Sequence, residues 1–179
     1  MTLRNIEPRK AFLIKHYKEN RILNVGSGGL YLKNAINIDM NALKKPDIRG
    51  DFHHLPFKDK SFDVAFALDI IEHTETPEIL LNELERVSNN VIVECLDFDL
   101  CPANWTDDKT HVYYINRKTM KEILSPRGYN LFHFVRLHLE GEHFRKSMLV
   151  GVRKPKLFDK QMFLLISAKH AFTRFLEKV

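Results

Sequence analysis

The stretch Leu23-Asn-Val-Gly-Ser-Gly-Gly29 decides how this chain is read. Arg21-Ile-Leu-Asn-Val25 is a short apolar run stopped by three glycines in four positions, the pattern of a central strand running into a tight turn. Working outward, Ile36-Asn-Ile-Asp39 reads as a second strand that ends in an acid. Only seven residues separate Gly29 from Asn37, so a crossover helix between the two strands has room for a turn or two. A glycine turn after one strand and an acid closing the next is a nucleotide-binding layout. The glycines let a ligand approach the backbone, and the carboxylate receives ribose hydroxyls. The sequence has no G-x-x-x-x-G-K-[ST] phosphate loop. In a dinucleotide fingerprint the third glycine would fall where Tyr31 stands, and the acid arrives sooner than the roughly 20 residues expected, which disfavours NAD.

The remaining pattern continues the alternation. Lys10–Glu19 has helical spacing, and Gly50–Pro56 reads as a loop or short strand. Ser61–Leu68 reads as a buried strand. Thr76-Pro-Glu78 opens a helix with Thr as cap and Pro at the first turn, closing near Ser88-Asn-Asn90. Val91–Leu96 is another buried strand, followed by a long polar loop over 97–110 that holds Trp105. Asn116–Leu124 is a helix stopped by Ser125-Pro-Arg-Gly128, and Tyr129–Leu139 with Ser147–Val152 form a hairpin across Glu140-Gly-Glu-His143. The expected fold is α/β, a three-layer sandwich around a mostly parallel sheet. Residues 1–155 form the domain, and 156–179 form a helical extension packed on the core or at a homodimer contact.

At 179 residues the chain fits one domain. Its net charge of +5 is uneven: residues 1–111 carry 14 Lys and Arg against 18 Asp and Glu, and residues 112–179 carry 14 against 5. The basic C-terminal third could attract nucleic acid or an anionic surface, or be a solvated face. Nine histidines include no H-E-x-x-H, and Cys95 and Cys101 lie six apart, so no metal and no disulfide framework is expected. The longest late apolar run, Met162–Ile166, is too short for a membrane span, and the first ten residues lack the apolar core of a secretion signal. A cytoplasmic protein is the expectation.

Taken in order, Leu23–Gly29, Asn37-Ile-Asp39, Gly50-Asp51 with Leu55-Pro-Phe57, Lys60-Ser-Phe-Asp63 and Asp69-Ile-Ile-Glu-His73 resemble the motifs of class I methyltransferases that use S-adenosylmethionine (SAM). The likeness is closest to the subgroup marked by "LPF…SFD…EH". It runs on through Glu83–Val87, His111 and Arg127-Gly-Tyr129, and covers roughly Arg21 to Lys154. The resemblance implies a Rossmann-like, seven-stranded sheet with an antiparallel last strand, and SAM as cofactor. It places Val25, Gly26, Ser27 and Gly28 beneath the methionyl and ribose parts, and Asp39 on the ribose hydroxyls. Met40 and Phe52 would lie against adenine, Asp51 would take the adenine amine, and Asp69 and Ile70 would line the cofactor's other side. One position departs: the family usually carries Asp or Glu where Asn24 stands, which implies weakened cofactor binding.

Asp63, Pro56, Phe57, Phe62 and Arg86 read as scaffold, and Cys95 as core. Methyl transfer needs a base only when the nucleophile carries a proton of high pKa. His111 and His73 are the catalytic candidates, with Glu94 and Asp97 placed to orient them. The function expected is methyl transfer to a small-molecule acceptor. The alternatives are a catalytically degenerate SAM-binding or partner-subunit module, with weak or absent cofactor binding, and a basic RNA-binding or RNA-modifying protein on the same fold.

Overall fold

The computed structural model describes residues 14, 15, 17, 19, 21–100, 109–136 and 146–154, with 132–136 and 146–148 treated as backbone alone. Within them, β1 (Ile22–Val25), β2 (Ile36–Asp39), β3 (Ile48–Arg49), β4 (Phe62–Leu68), β5 (Ser88–Leu96), β6 (Asn130–Arg136) and β7 (Lys146–Val152) make one sheet in the order β3-β2-β1-β4-β5-β7-β6. Pairing is parallel from β3 across to β5. β7 is inserted antiparallel between β5 and β6, so the last strand is reversed as expected.

Both faces of the sheet are covered, which is why β4 and β5 read as unbroken apolar runs. Ala65, Ala67, Val91, Val93 and Cys95 face one core with α1 (Pro77–Val87) and α2 (Arg117–Leu124), through Leu80, Leu84, Met120 and Leu124. Val64, Phe66, Leu68 and Ile92 face the other, closed by Tyr17 and Leu32. The alternation along β4 is the two-residue period of a strand buried on both sides.

Three local expectations are corrected. No helix joins β1 to β2: residues 26–35 are turns and irregular chain, because the loop is too short for a helix and is tied by side-chain amides instead. Helix α1 closes at Val87 with Ser88 as its cap, as read, but β5 begins at Ser88 itself rather than at Val91. Ser88 makes that switch possible by donating its hydroxyl back to the Leu84 carbonyl at 2.7 Å. Thr76 precedes α1 but does not cap it through its side chain; its N–H and hydroxyl meet Thr74 instead. Helix α2 does start as read, with Asn116 and Thr119 exchanging side-chain-to-backbone bonds. Asp63 accepts from the Arg21 backbone and guanidinium, fastening the start of β4 to the start of β1.

Of the expected helix Lys10–Glu19, Ile14 and Lys15 are helical, Tyr17 lies in a turn and Glu19 is irregular. The other residues of that stretch, Cys101, Trp105, the 140–143 link and the expected 156–179 extension lie outside the described residues. Among the described residues no helix is long and apolar enough to cross a membrane.

Candidate active site

The strand order reverses between β1 and β4, and a cavity of about 730 Å³ opens at the carboxyl ends of β1, β2 and β4. This is where open α/β sheets take ligands. Its lining includes Val25, Gly26, Gly28, Asp39, Met40, Phe52, Asp69 and Ile70 from the expected cofactor set, and His73 from the expected catalytic pair. Ser27, Asp51 and His111 stand outside the lining. Ile38, Asn41, Lys44, Gly50, His53 and Thr110 also line it and were not singled out from sequence.

The floor is a glycine turn. Gly26 and Gly28 take left-handed φ of 62° and 46°, and between them Ser27 is buried and donates its N–H to the Ile38 carbonyl at 3.1 Å. A Cβ added at Gly26 would stand 2.4 Å from Ile70 Cδ1, so the first turn and the segment after β4 touch through the absence of a side chain. Gly26→Ala should therefore cost about 1–3 kcal/mol of stability, from left-handed strain and a displaced Ile70. It should also weaken SAM at least about tenfold, read by thermal melting and calorimetric titration. Full affinity in the variant would remove Gly26 from the cofactor's floor.

Beside that turn, Asp39 Oδ2 accepts the Gly28 N–H at 2.7 Å and Oδ1 accepts the Asn41 N–H at 2.7 Å. A carboxylate offers about four acceptor positions, so lone pairs remain on both oxygens for further donors from the cavity. Asn24 has a different task. It is buried, and its Nδ2 donates to the Leu30 carbonyl at 2.7 Å and to Asn37 Oδ1 at 2.9 Å. Asn37 in turn holds Leu32 and Asp47, and Asp47 accepts the Tyr31 hydroxyl. The position needs a donor toward Leu30, which an ionised Asp or Glu could not supply. The amide is the residue that fastens a crossover lacking its helix.

Asp51 meets His53 before any ligand. Its Oδ1 accepts the His53 backbone N–H and lies 2.9 Å from His53 Nδ1, while Nε2 of that ring is 3.0 Å from Thr74 Oγ1. The His53 backbone N–H is the main cause holding the Asp51 carboxyl below the usual carboxylate range. Asp51 thus props Phe52 and His53 against the cavity. The spacing of an acid two residues before His53 is the signal for this turn.

On the opposite wall Asp69 has a left-handed φ of 53°, and its N–H donates to the Glu94 carbonyl at 2.9 Å. Such a conformation is uncommon for a residue with a side chain and recurs at functional sites. A 3₁₀ turn at Ile71–His73 follows. The Glu72 carbonyl accepts from Val112 and Tyr113 N–H at 3.0 and 3.1 Å, and His73 Nδ1 lies 3.0 Å from the Thr110 carbonyl. A carbonyl can only accept, so Nδ1 carries the proton and the neutral ring has its lone pair on Nε2. These bonds bring the two predicted histidines together, with ring centroids 4.8 Å apart, and the Phe98 ring lies tilted with its centroid 5.3 Å from that of His111. Glu94 and Asp97 are both buried nearby. Burial first, then the charges of Glu72, Glu94, Asp69 and Asp97, push the Cys95 thiol well up, so Cys95 is an inert core residue.

Residues 31–90, about a third of the chain, match a family model described as a methyltransferase domain. The likeness to that domain lies in this segment. The fold of the chain is that seen in structures of class I, SAM-dependent methyltransferases, and SAM is the cofactor the likeness implies. One similar structure is a SAM-dependent methyltransferase from Thermotoga maritima, described as a "possible histamine N-methyltransferase". It is 18% identical over 82% of this chain and 90% of that one, at a TM-score of 0.61. A second is the complex between the Haloferax volcanii Trm112 methyltransferase activator and "the putative methyltransferase": 16% identical, 83% and 89% covered, TM-score 0.59. A third is the [4+2]-cyclase SpnF, 15% identical with 82% and 81% covered and a TM-score of 0.61. No curated protein sequence matches the chain.

Proposed function

We propose that the domain binds SAM in the cavity at the ends of β1, β2 and β4 and transfers its methyl group to a small-molecule acceptor. The observation that carries this is the Asp39 carboxylate, which closes β2 and leans on Gly28 of the left-handed turn while its remaining lone pairs stay open. A volume of about 730 Å³ suits a ligand of nucleoside size. In this reading the Gly26–Gly28 turn carries the methionyl and ribose parts, and Met40 and Phe52 lie against adenine. Asp51 serves the adenine end through its hold on Phe52 and His53, while Asp69 and Ile70 close the opposite side.

SAM, when bound, supplies a sulfonium methyl whose bond to sulfur breaks, the pair staying on sulfur, as the acceptor's lone pair bonds the methyl carbon. Charge is moved rather than created, so the chain gains most by aligning the partners. His73 and His111 are the residues we propose to meet the acceptor, with the Nε2 lone pair of His73 fixed by Thr110. Scarce cysteine, with Cys95 free and buried, supports the cytoplasm as the place of action.

Calorimetric titration with SAM, with S-adenosylhomocysteine and with NAD tests the proposal. The expected result is roughly micromolar binding of the two sulfur ligands and none of NAD. Absence of binding up to millimolar SAM would overturn it and favour the degenerate-module reading.

A further inference from the structure

We propose that Glu72, His73 and His111 form a divalent transition-metal site beside the cofactor cavity. One ligand atom from each lies within 4.8 Å of the other two. A carboxylate with two imidazoles is a donor set that suits zinc and its first-row neighbours rather than magnesium or calcium. Neither Glu72-His73 nor His111 alone has metal-ligand spacing, so the set is invisible in the sequence and exists only in the fold.

Two features build the site beyond mere proximity. The segment that carries His111 is clamped to the turn that carries Glu72 and His73 by three contacts: Val112 and Tyr113 N–H on the Glu72 carbonyl, and the Thr110 carbonyl on His73 Nδ1. The last of these also fixes the tautomer, leaving Nε2 of His73 as the lone pair. A backbone carbonyl on the far nitrogen is how metal-binding histidines are commonly oriented. Phe98 packs against the His111 ring and limits its swing. Because His73 lines the cavity and His111 adjoins it, an ion held here would present an open coordination position toward an acceptor bearing oxygen or nitrogen lone pairs. That role rests on the methyl-transfer reading; the binding of the ion does not.

The test uses untagged full-length protein, stripped with a chelator and dialysed free of it, then titrated with zinc chloride in competition with a chromophoric indicator. About one equivalent of zinc should bind, and His73→Ala and His111→Ala should each weaken it at least about tenfold. Because a variant can fail to fold, long-range ¹⁵N–¹H spectra of the wild-type histidines supply an independent readout. Zinc should shift two imidazoles of the nine and leave the other seven in place. No stoichiometric zinc, undiminished binding in a folded His111→Ala, or shifts spread over other histidines would overturn the site. A parallel SAM titration separates the two readings. SAM bound without zinc uptake removes the metal site alone, and zinc bound without SAM removes the methyl-transfer reading alone.

Discussion

Asp39→Ala should weaken SAM by about a hundredfold or more. The substitution removes the carboxylate proposed to accept the ribose hydroxyls, and hydrogen bonds to a charged partner contribute about 1.5–3 kcal/mol each. Two of them correspond to at least about two orders of magnitude in Kd. The same change frees the Gly28 and Asn41 N–H groups, which Asp39 now accepts, so the glycine turn loses its brace along with its ligand contact. Asp39→Asn separates these effects. Its amide oxygen can still accept one of those N–H groups while the charge is gone, so it should fall between wild type and alanine. Calorimetric titration reads the affinity, and a melting curve within a few degrees of wild type shows that the fold survives. Unchanged affinity in a folded Asp39→Ala protein would falsify the ribose assignment.

The second large effect is on stability. Arg86, on α1, donates to both oxygens of Glu83 at 2.7 Å, to the Phe57 carbonyl at 2.7 Å, to the Leu55 carbonyl at 2.9 Å and to Asp59 at 3.0 Å. Glu83 also accepts the Leu55 N–H at 2.8 Å. One guanidinium therefore pins the Leu55-Pro-Phe57 segment to α1 and keeps the chain leaving Phe52 in place. Arg86→Ala leaves two carbonyls and a half-buried carboxylate short of donors, and we expect a loss of about 2–4 kcal/mol, or roughly 5–15 °C in Tm. Arg86→Lys should recover only part of it, since an ammonium cannot reproduce the planar fork. The pH dependence gives a second reading. Its hydrogen bond to Arg86 is the main cause holding the Glu83 carboxyl below its ordinary value. That stabilisation is present above the unfolded-state pKa and is lost as pH falls through the folded one. The stability gap between wild type and Arg86→Ala should therefore narrow in acid; a constant gap would show that the ion pair contributes little.

Much of this architecture is legible in the residues. The apolar runs of β4 and β5 announce strands buried on both faces, and Asp39, Asp69 and the glycine turn announce the ligand end of the sheet. Arg86 and Asp63 were readable as scaffold because they sit in ordered motifs that the fold explains. What escaped has a common physical character. The role of Asn24 depends on which groups it faces across a loop, and sequence shows only that an expected acid is missing. His53 became part of the cavity because Asp51 turns back on it, a contact made by local geometry that hydrophobic period does not register. Glu72, His73 and His111 come together through backbone bonds between distant segments, so their spacing along the chain carries no trace of it. The start of β5 at Ser88 is hidden in the sequence because a strand can begin directly where a serine hydroxyl satisfies the helix's last turn.

The missing crossover helix bears on the order in which the molecule is assembled. Leu23 pairs with Ile36, and Ile38 pairs with Ile48, so three parallel strands close over loops far shorter than a helical crossover needs. Loop-closure entropy rises with the length closed, and contacts near in sequence form fastest. The half of the cavity proposed to hold the nucleoside, from Val25 to Gly50, is thus a nearly self-contained piece of chain that can take shape early. The half proposed to meet the acceptor waits on β1 finding β4, and on the 110–113 segment reaching the turn at Glu72. On the proposed function, the chain would build the seat for its cofactor before it has anywhere to put a substrate.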